Sequence, residues 1–456
     1  MRVAALAMLA VVVMVSCQGC WDHVELEDIA WVQAIGFDEA AGGYICVTLE
    51  MGIPRSLRGA ATPGGAVPGA GPHYLTMTVY SRTVLEALDL VGVNLGRRVR
   101  LEHCLAYVFG EGLAKSGIRE LVGVLDRHRE VRETAFAFVA RGRAEDILRV
   151  TTSPLEASPS RFLATIVQQH RHTGLFEAMQ FGRFVWAMQS NAVTPTCPLI
   201  ALSRGFTQGE APGGAGGGYP STPRVGERIA PPEVPPGLGG SEGGPTWLEA
   251  GQMPHIGGGP VEVLGTAVFS GGGLVGTLGA EETRAMLMLK NDFERGAFGI
   301  PDPQRPDDPG YCLEFDVRGG RTRVEARRDG DKVKIVASVS LSVSYTGMKT
   351  QTDYSDPRNS PLAERAAEDY VKKVLDRVIS RCKDEMKVDP FHFGDRVKRT
   401  FWTWPEWDSF AWQTKFPQAE VSTEVKVKIM RYGLDLGPPH VPSSEKARVE
   451  GGATGR

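Results

Sequence analysis

Apolar positions along this chain recur with two periods. Lys332–Tyr345 alternates strictly, with Val333, Ile335, Ala337, Val339, Leu341, Val343 and Tyr345 on one face. A period of two is that of a half-buried strand. Val421–Met430 repeats the pattern through Val421, Val425, Val427 and Ile429, with Lys426 and Lys428 outward, and predicts an edge-exposed strand. Helical spacing appears in Ala367, Val371, Val374, Val378 and Cys382, so a long helix opens at Pro361 and runs to about Met386. It appears again in Ile118, Leu121, Val122 and Leu125, and in Phe162, Leu163, Ile166 and Val167 within Pro159–Gly174.

The first third of the chain mixes both patterns. Ile29–Asp38, Tyr44–Glu50, His73–Tyr80, His103–Phe109 and Phe136–Ala140 are rich in β-branched and aromatic residues and predict strands. Glu39–Gly43 predicts a hairpin loop, and Val84–Val91 a helix. Further on, Val261–Phe269 and Leu274–Leu278 predict a hairpin, followed by a helix over Glu281–Leu289 with Glu281 and Glu282 at its positive end. The fold class expected is α/β (α+β): three consecutive mixed sheet-and-helix domains after a signal segment. The divisions are 1–19, 20–195, 196–305, 306–435 and a disordered tail over 436–456.

Composition adds the linkers. The chain has 456 residues, 55 of them Gly and 30 Pro, and these cluster. Residues 205–259 read as a disordered insertion in the middle block, because such a stretch cannot bury enough apolar area to offset ordering entropy. Pro54–Pro72 reads as a surface loop. The formal net charge of −3 gives no electrostatic footprint for nucleic acid.

The N-terminus reads as an address. Arg2 precedes an apolar run from Val3 to Val15, which is too short to span a bilayer. Ser16-Cys17-Gln18-Gly19-Cys20 then places a small residue directly before each of two cysteines, the form of a bacterial lipobox. Cys20 is the favoured lipidation residue, with Cys17 the alternative. A redox CxxC needs a βαβ context and a helix start, which an adjoining signal segment does not offer. The other cysteines, Cys46, Cys104, Cys197, Cys312 and Cys382, stand apart in apolar surroundings and read as small core residues.

No catalytic, cofactor-binding or metal-binding residue is expected. His170 and His172 lie two apart on a predicted helix and so face different ways. His103 beside Cys104 is read as a strand residue. HExxH and GxxxxGK[ST] are absent from the sequence. Trp402, Trp404, Trp407 and Trp412 read as core packing and an end-cap on the last sheet.

Several segments, in order, resemble the Ger(x)C family, the lipoprotein subunit of nutrient germinant receptors in endospores. They are Gly19-Cys20-Trp21-Asp22 with Glu25 and Leu26, and Leu101-Glu102-His103 running into Val108-Phe109-Gly110-Glu111. Leu264–Phe269, Leu274-Val275-Gly276 and Glu282-Thr283 come next, then Asp389–Gly394, Trp412, Phe416-Pro417 and Val421–Ile429. The resemblance implies three α/β domains, a diacylglycerol anchor on the outer face of the spore inner membrane, and assembly with A-type and B-type membrane-embedded subunits. It implies a non-catalytic role in the response to small nutrients. The alternative, a solute-binding lipoprotein of a transporter, would have two similar lobes, where the pattern predicts three dissimilar blocks.

Overall fold

The computed structural model describes residues 28–53, 74–150, 159–203, 248–253, 258–308, 311–346 and 352–432, with Arg2, Ala4, Met8 and Glu25. Most of the expected signal segment, both candidate lipidation cysteines, the Pro54–Pro72 loop, most of 205–259 and the tail lie outside the described residues. The mixed α/β class is borne out, in two mixed sheets flanked by helices.

The first sheet comprises β1 (Ile29–Glu39), β2 (Ile45–Gly52), β3 (Tyr74–Ser81), β4 (Arg98–Arg100), β5 (Ala106–Gly110), β6 (Phe136–Ala140), β7 (Thr196–Leu202), β8 (Val261–Ser270) and β9 (Gly273–Leu278). Its order is β3-β2-β1-β5-β6-β7-β8-β9, with β4 beside the start of β1. β1, β5, β6 and β7 are parallel neighbours, and the flanking pairs are antiparallel. Both faces are covered. Tyr107 and Phe109 point to a core that includes Val84, Phe181 and Phe184, whereas Ala106 and Val108 point to one that includes Ile147, Leu148 and Leu163. Burial on both sides explains why these strands read as continuous apolar runs. β7, β8 and β9, assigned from sequence to a middle block, hydrogen-bond into the same sheet as the N-terminal strands. Within 205–259, residues 248–253 pack on β8, with Ala250 N–H donating to Leu264 O.

His103 is not in a strand. Residues 101–104 form a turn closed by Cys104 N–H to Leu101 O, and β5 begins only at Ala106. The Glu130 carboxylate fixes this turn by accepting from Leu101 N–H and pairing with Arg100. The helix predicted over Pro159–Gly174 is broken into Pro159–Val167 and a short turn at His170–Thr173.

The second sheet is β10 (Gly296–Pro301), β11 (Cys312–Asp329), β12 (Lys332–Tyr345) and β13 (Glu420–Tyr432). β12 carries the alternating face as predicted, from Val333 to Tyr345, into one core. Two helices, α1 (Ala280–Lys290) and α2 (Ser360–Arg381), pack where the sheets meet. α2 has Pro361 in its first turn and buries Ala363, Ala367, Val371, Val374, Leu375 and Val378. It also covers the outer edge of β13. Glu368 accepts from Val427 N–H and Glu364 from Ile429 N–H, both at 3.0 Å, while Lys372 donates to Thr423 O. Side chains of the helix thus occupy hydrogen-bonding groups that would otherwise be open to strand addition.

Candidate functional site

A group of buried polar side chains lies at the junction of the two sheets, and α1 is its centre. Ten of its residues are buried, Glu281, Glu282, Thr283 and Arg284 among them. Burying four polar side chains in one turn requires partners for each. Glu282 reaches back to Gly279 N–H at 3.0 Å, the carboxylate half of a capping box, and also pairs with Arg381. Glu281 pairs with Arg284 at 2.9 Å. Arg284 also donates to Thr173 O from Nη2, at 3.0 Å, and Thr283 Oγ1 donates to Thr266 Oγ1. At the far end of α1, Lys290 pairs with Glu177, whose other oxygen accepts from Thr196 at 2.6 Å. The expectation that Glu281 and Glu282 serve a helix start holds for Glu282. Its burial came from Arg381, 99 positions away, which no local pattern reveals.

Beside α1 lies an open polar cleft of about 520 Å³, lined by Glu249, Gln252, Glu282, Arg377, Arg381 and Asp384, among others. Glu249 is held by Arg141 at 2.7 Å and by Thr277 at 2.5 Å, and Arg381 spans Glu282 and Glu385. These carboxylates are fixed by ion pairs and hydroxyls, so the cleft is built as a bracing network between segments 248–253, α1 and α2. Burial, opposed by the Arg284 charge, raises the Glu281 carboxyl above its usual range.

A second contact closes the junction. Asp389 is fully buried and accepts from Trp412 Nε1 at 2.9 Å, Gly394 N–H at 2.7 Å and Phe391 N–H at 3.0 Å. Loss of hydration raises its carboxyl to about 6 despite those three bonds. His392, at φ 63°, turns the chain here, and burial depresses its imidazole to about 3, so it is neutral at physiological pH. Gly394 packs on the first sheet's side of the junction. A Cβ there would overlap the carbonyl oxygen of Ala192 and lie 2.6 Å from Trp412 Cδ1. Gly394→Ala is therefore expected to cost about 2 kcal/mol by overpacking. Proteolysis under native conditions would register it as faster cleavage in 190–195 and 390–416; an unchanged digestion pattern would mean the backbone yields without strain.

The other residues singled out by the sequence have varied surroundings. His103 packs its ring edge-to-face on Trp31, with centroids 4.4 Å apart. His170 Nδ1 lies 2.8 Å from Val167 O. Cys104 and Cys197 are buried thiols raised by desolvation, Cys104 to about 12. Among the described residues no three His, Cys, Asp or Glu side chains cluster with metal-binding geometry. The tryptophans divide. Trp407 and Trp412 are core residues, but Trp402 and Trp404 are 96% and 59% exposed, which corrects the reading of all four as packing. Thr403 caps a helix over Trp404–Phe410, and helical spacing turns Trp407 and Phe410 inward together. That cap and spacing could have separated the pairs.

Two family models match the chain in order. The model described as "Spore germination protein N-terminal domain" matches residues 22–202. The model described as "Spore germination B3/GerAC like, C-terminal" matches residues 264–433. The chain is similar to the putative spore germination protein YfkR of Bacillus subtilis (strain 168), 22% identical over 93% of this chain and 96% of that one. It is similar also to spore germination protein KC of the same organism, 24% identical over 96% of this chain and 98% of that one. The solved crystal structure of the GerBC protein aligns with 87% of this chain and 96% of its own, at a TM-score of 0.48 and 14% identity.

Proposed function

The chain belongs to the spore germination B3/GerAC-like family, and from that membership we propose that it serves germination as the lipid-anchored, non-catalytic subunit of a nutrient germinant receptor. Its partners in this reading are A-type and B-type membrane-embedded subunits, and its place is the outer face of the spore inner membrane. A role in spore germination follows from the family itself. What supports the finer reading is the junction. Its charged side chains brace one segment against another, as suits a rigid part of an assembly. The anchor rests on the apolar run Val3–Val15 followed by Cys17 and Cys20. Among the described residues no helix is long and apolar enough to cross a membrane.

Deleting the gene is expected to abolish nutrient-triggered dipicolinate release from purified spores while leaving a non-nutrient trigger effective. Wild type should restore the response, and a form carrying both Cys17→Ala and Cys20→Ala should not. Full restoration by the double variant would remove the lipid anchor from this reading. An undiminished response of deletion spores to every nutrient would remove the receptor role.

A further inference from the structure

We propose that the surface carrying Trp402 and Trp404 rests on an anionic phospholipid bilayer. Single exposed apolar residues are ordinary. Two indoles within three positions, one of them 96% exposed, are not the same case, because their base is fixed. Immediately after them Trp407 and Phe410 insert into the core, and Trp407 Nε1 donates to Asn191 Oδ1 at 2.8 Å. Asn191 in turn donates to Asp408 at 2.9 Å. The exposed rings therefore stand at the start of a helix that is fixed to the core.

Cations ring the same aromatic group. Arg328 lies 4.3 Å from the Phe401 ring centroid, Lys398 4.4 Å from that of Trp404, and Lys415 5.9 Å from that of Phe410. Across residues 327–332 and 396–415 there are seven Lys and Arg against four Asp and Glu. Of those four acids, Asp331 is held by Lys415 and Asp408 by Asn191. An indole has an apolar body and a polar N–H, which suits the headgroup level of a bilayer, and the surplus of cations complements acidic headgroups.

Orientation favours a membrane over a protein partner. β1, β5, β6 and β7 are parallel, so all four begin at one end of the first sheet. The loop 190–195, which holds Trp407 and Asp408 through Asn191, leads into β7 at that end. β1, the first strand after the apolar run in the sequence, begins at the same end. Indoles and cations thus lie toward the end of the first sheet at which β1 begins.

The test uses the full chain in vesicles of phosphatidylglycerol and phosphatidylcholine with brominated acyl chains. Wild type should show indole quenching that the variant W402F/W404F at least halves, and that falls when phosphatidylglycerol is omitted. An unchanged thermal midpoint in the variant would confirm an intact fold. Equal quenching in both proteins would overturn the proposal. A photoreactive residue at position 402, illuminated in host membranes, gives the second readout. A phospholipid adduct supports the proposal, whereas an adduct to another polypeptide or to a second copy of this chain overturns it. The vesicles themselves supply the membrane, so this inference can fail while the receptor-subunit reading stands.

Discussion

Replacing Asp389 with alanine is expected to lower the folding free energy by about 3 kcal/mol at pH 7. Three buried donors, Trp412 Nε1 and the backbone N–H groups of Phe391 and Gly394, would lose their acceptor together. At ~2 kcal/mol for each orphaned group, the loss is ~6 kcal/mol. Against this, the variant no longer buries a carboxylate raised from 3.8 to about 6, which returns ~3 kcal/mol at pH 7. The sign follows from linkage. The native carboxyl holds its proton more tightly than the unfolded one. Its contribution is fully present below pH 3.8 and declines as pH rises through about 6. The alanine penalty should therefore be larger at pH 5 than at pH 8, by ~1 kcal/mol. Urea unfolding at the two pH values measures both quantities. A penalty under ~1 kcal/mol would mean that water reaches the three donors.

The Asp389 site also marks what the sequence could and could not convey. Elements defined by their own period were legible. The alternating face of β12 and the stripe Ala367, Val371, Val374 and Val378 of α2 are buried as expected, because one-sided burial imposes its period on the residues themselves. Partners distant along the chain were not. Arg381 meets Glu282, Asn191 meets Trp407, and β7 pairs with β8 across the 203–260 stretch. None of these pairings leaves a local trace, since an acidic residue at a helix start reads the same whether water or a guanidinium faces it. His103 and Cys104 lie in a turn rather than in the expected strand His103–Phe109 for a related reason. Cys104 and Leu105 look like strand residues, but the acceptor that fixes the turn, Glu130, comes from 29 positions away. In the second sheet, β13 was recognised as an edge strand, while its protection by Glu364 and Glu368 depends on how α2 crosses it.

Glu50→Gln is expected to stabilise the protein, and by an amount that depends on pH. Glu50 sits on β2 with no solvent exposure. One carboxyl oxygen accepts from Ser160 N–H at 3.2 Å, and the other has no hydrogen-bond partner. Thr76, its register partner on β3, also has an unsatisfied buried hydroxyl. Burial is the main cause that pushes the carboxyl from 4.5 up to about 8, so the native side chain is protonated at neutral pH. Below pH 4.5 both folded and unfolded states carry the proton and the group contributes its full stability. As pH rises from there through about 8, the unfolded chain ionises first and stability is lost. At pH 7 that loss is on the order of 3 kcal/mol. Glutamine has nearly the volume of the protonated acid, keeps an oxygen for Ser160 and cannot ionise. The variant should match wild type near pH 4.5 and gain progressively toward pH 8 in chemical unfolding. A difference that is constant across this range, zero included, would show that Glu50 titrates normally and that its second oxygen is hydrated; a pH-dependent gain shifted downward at every pH would show that the amide N–H groups are left unsatisfied.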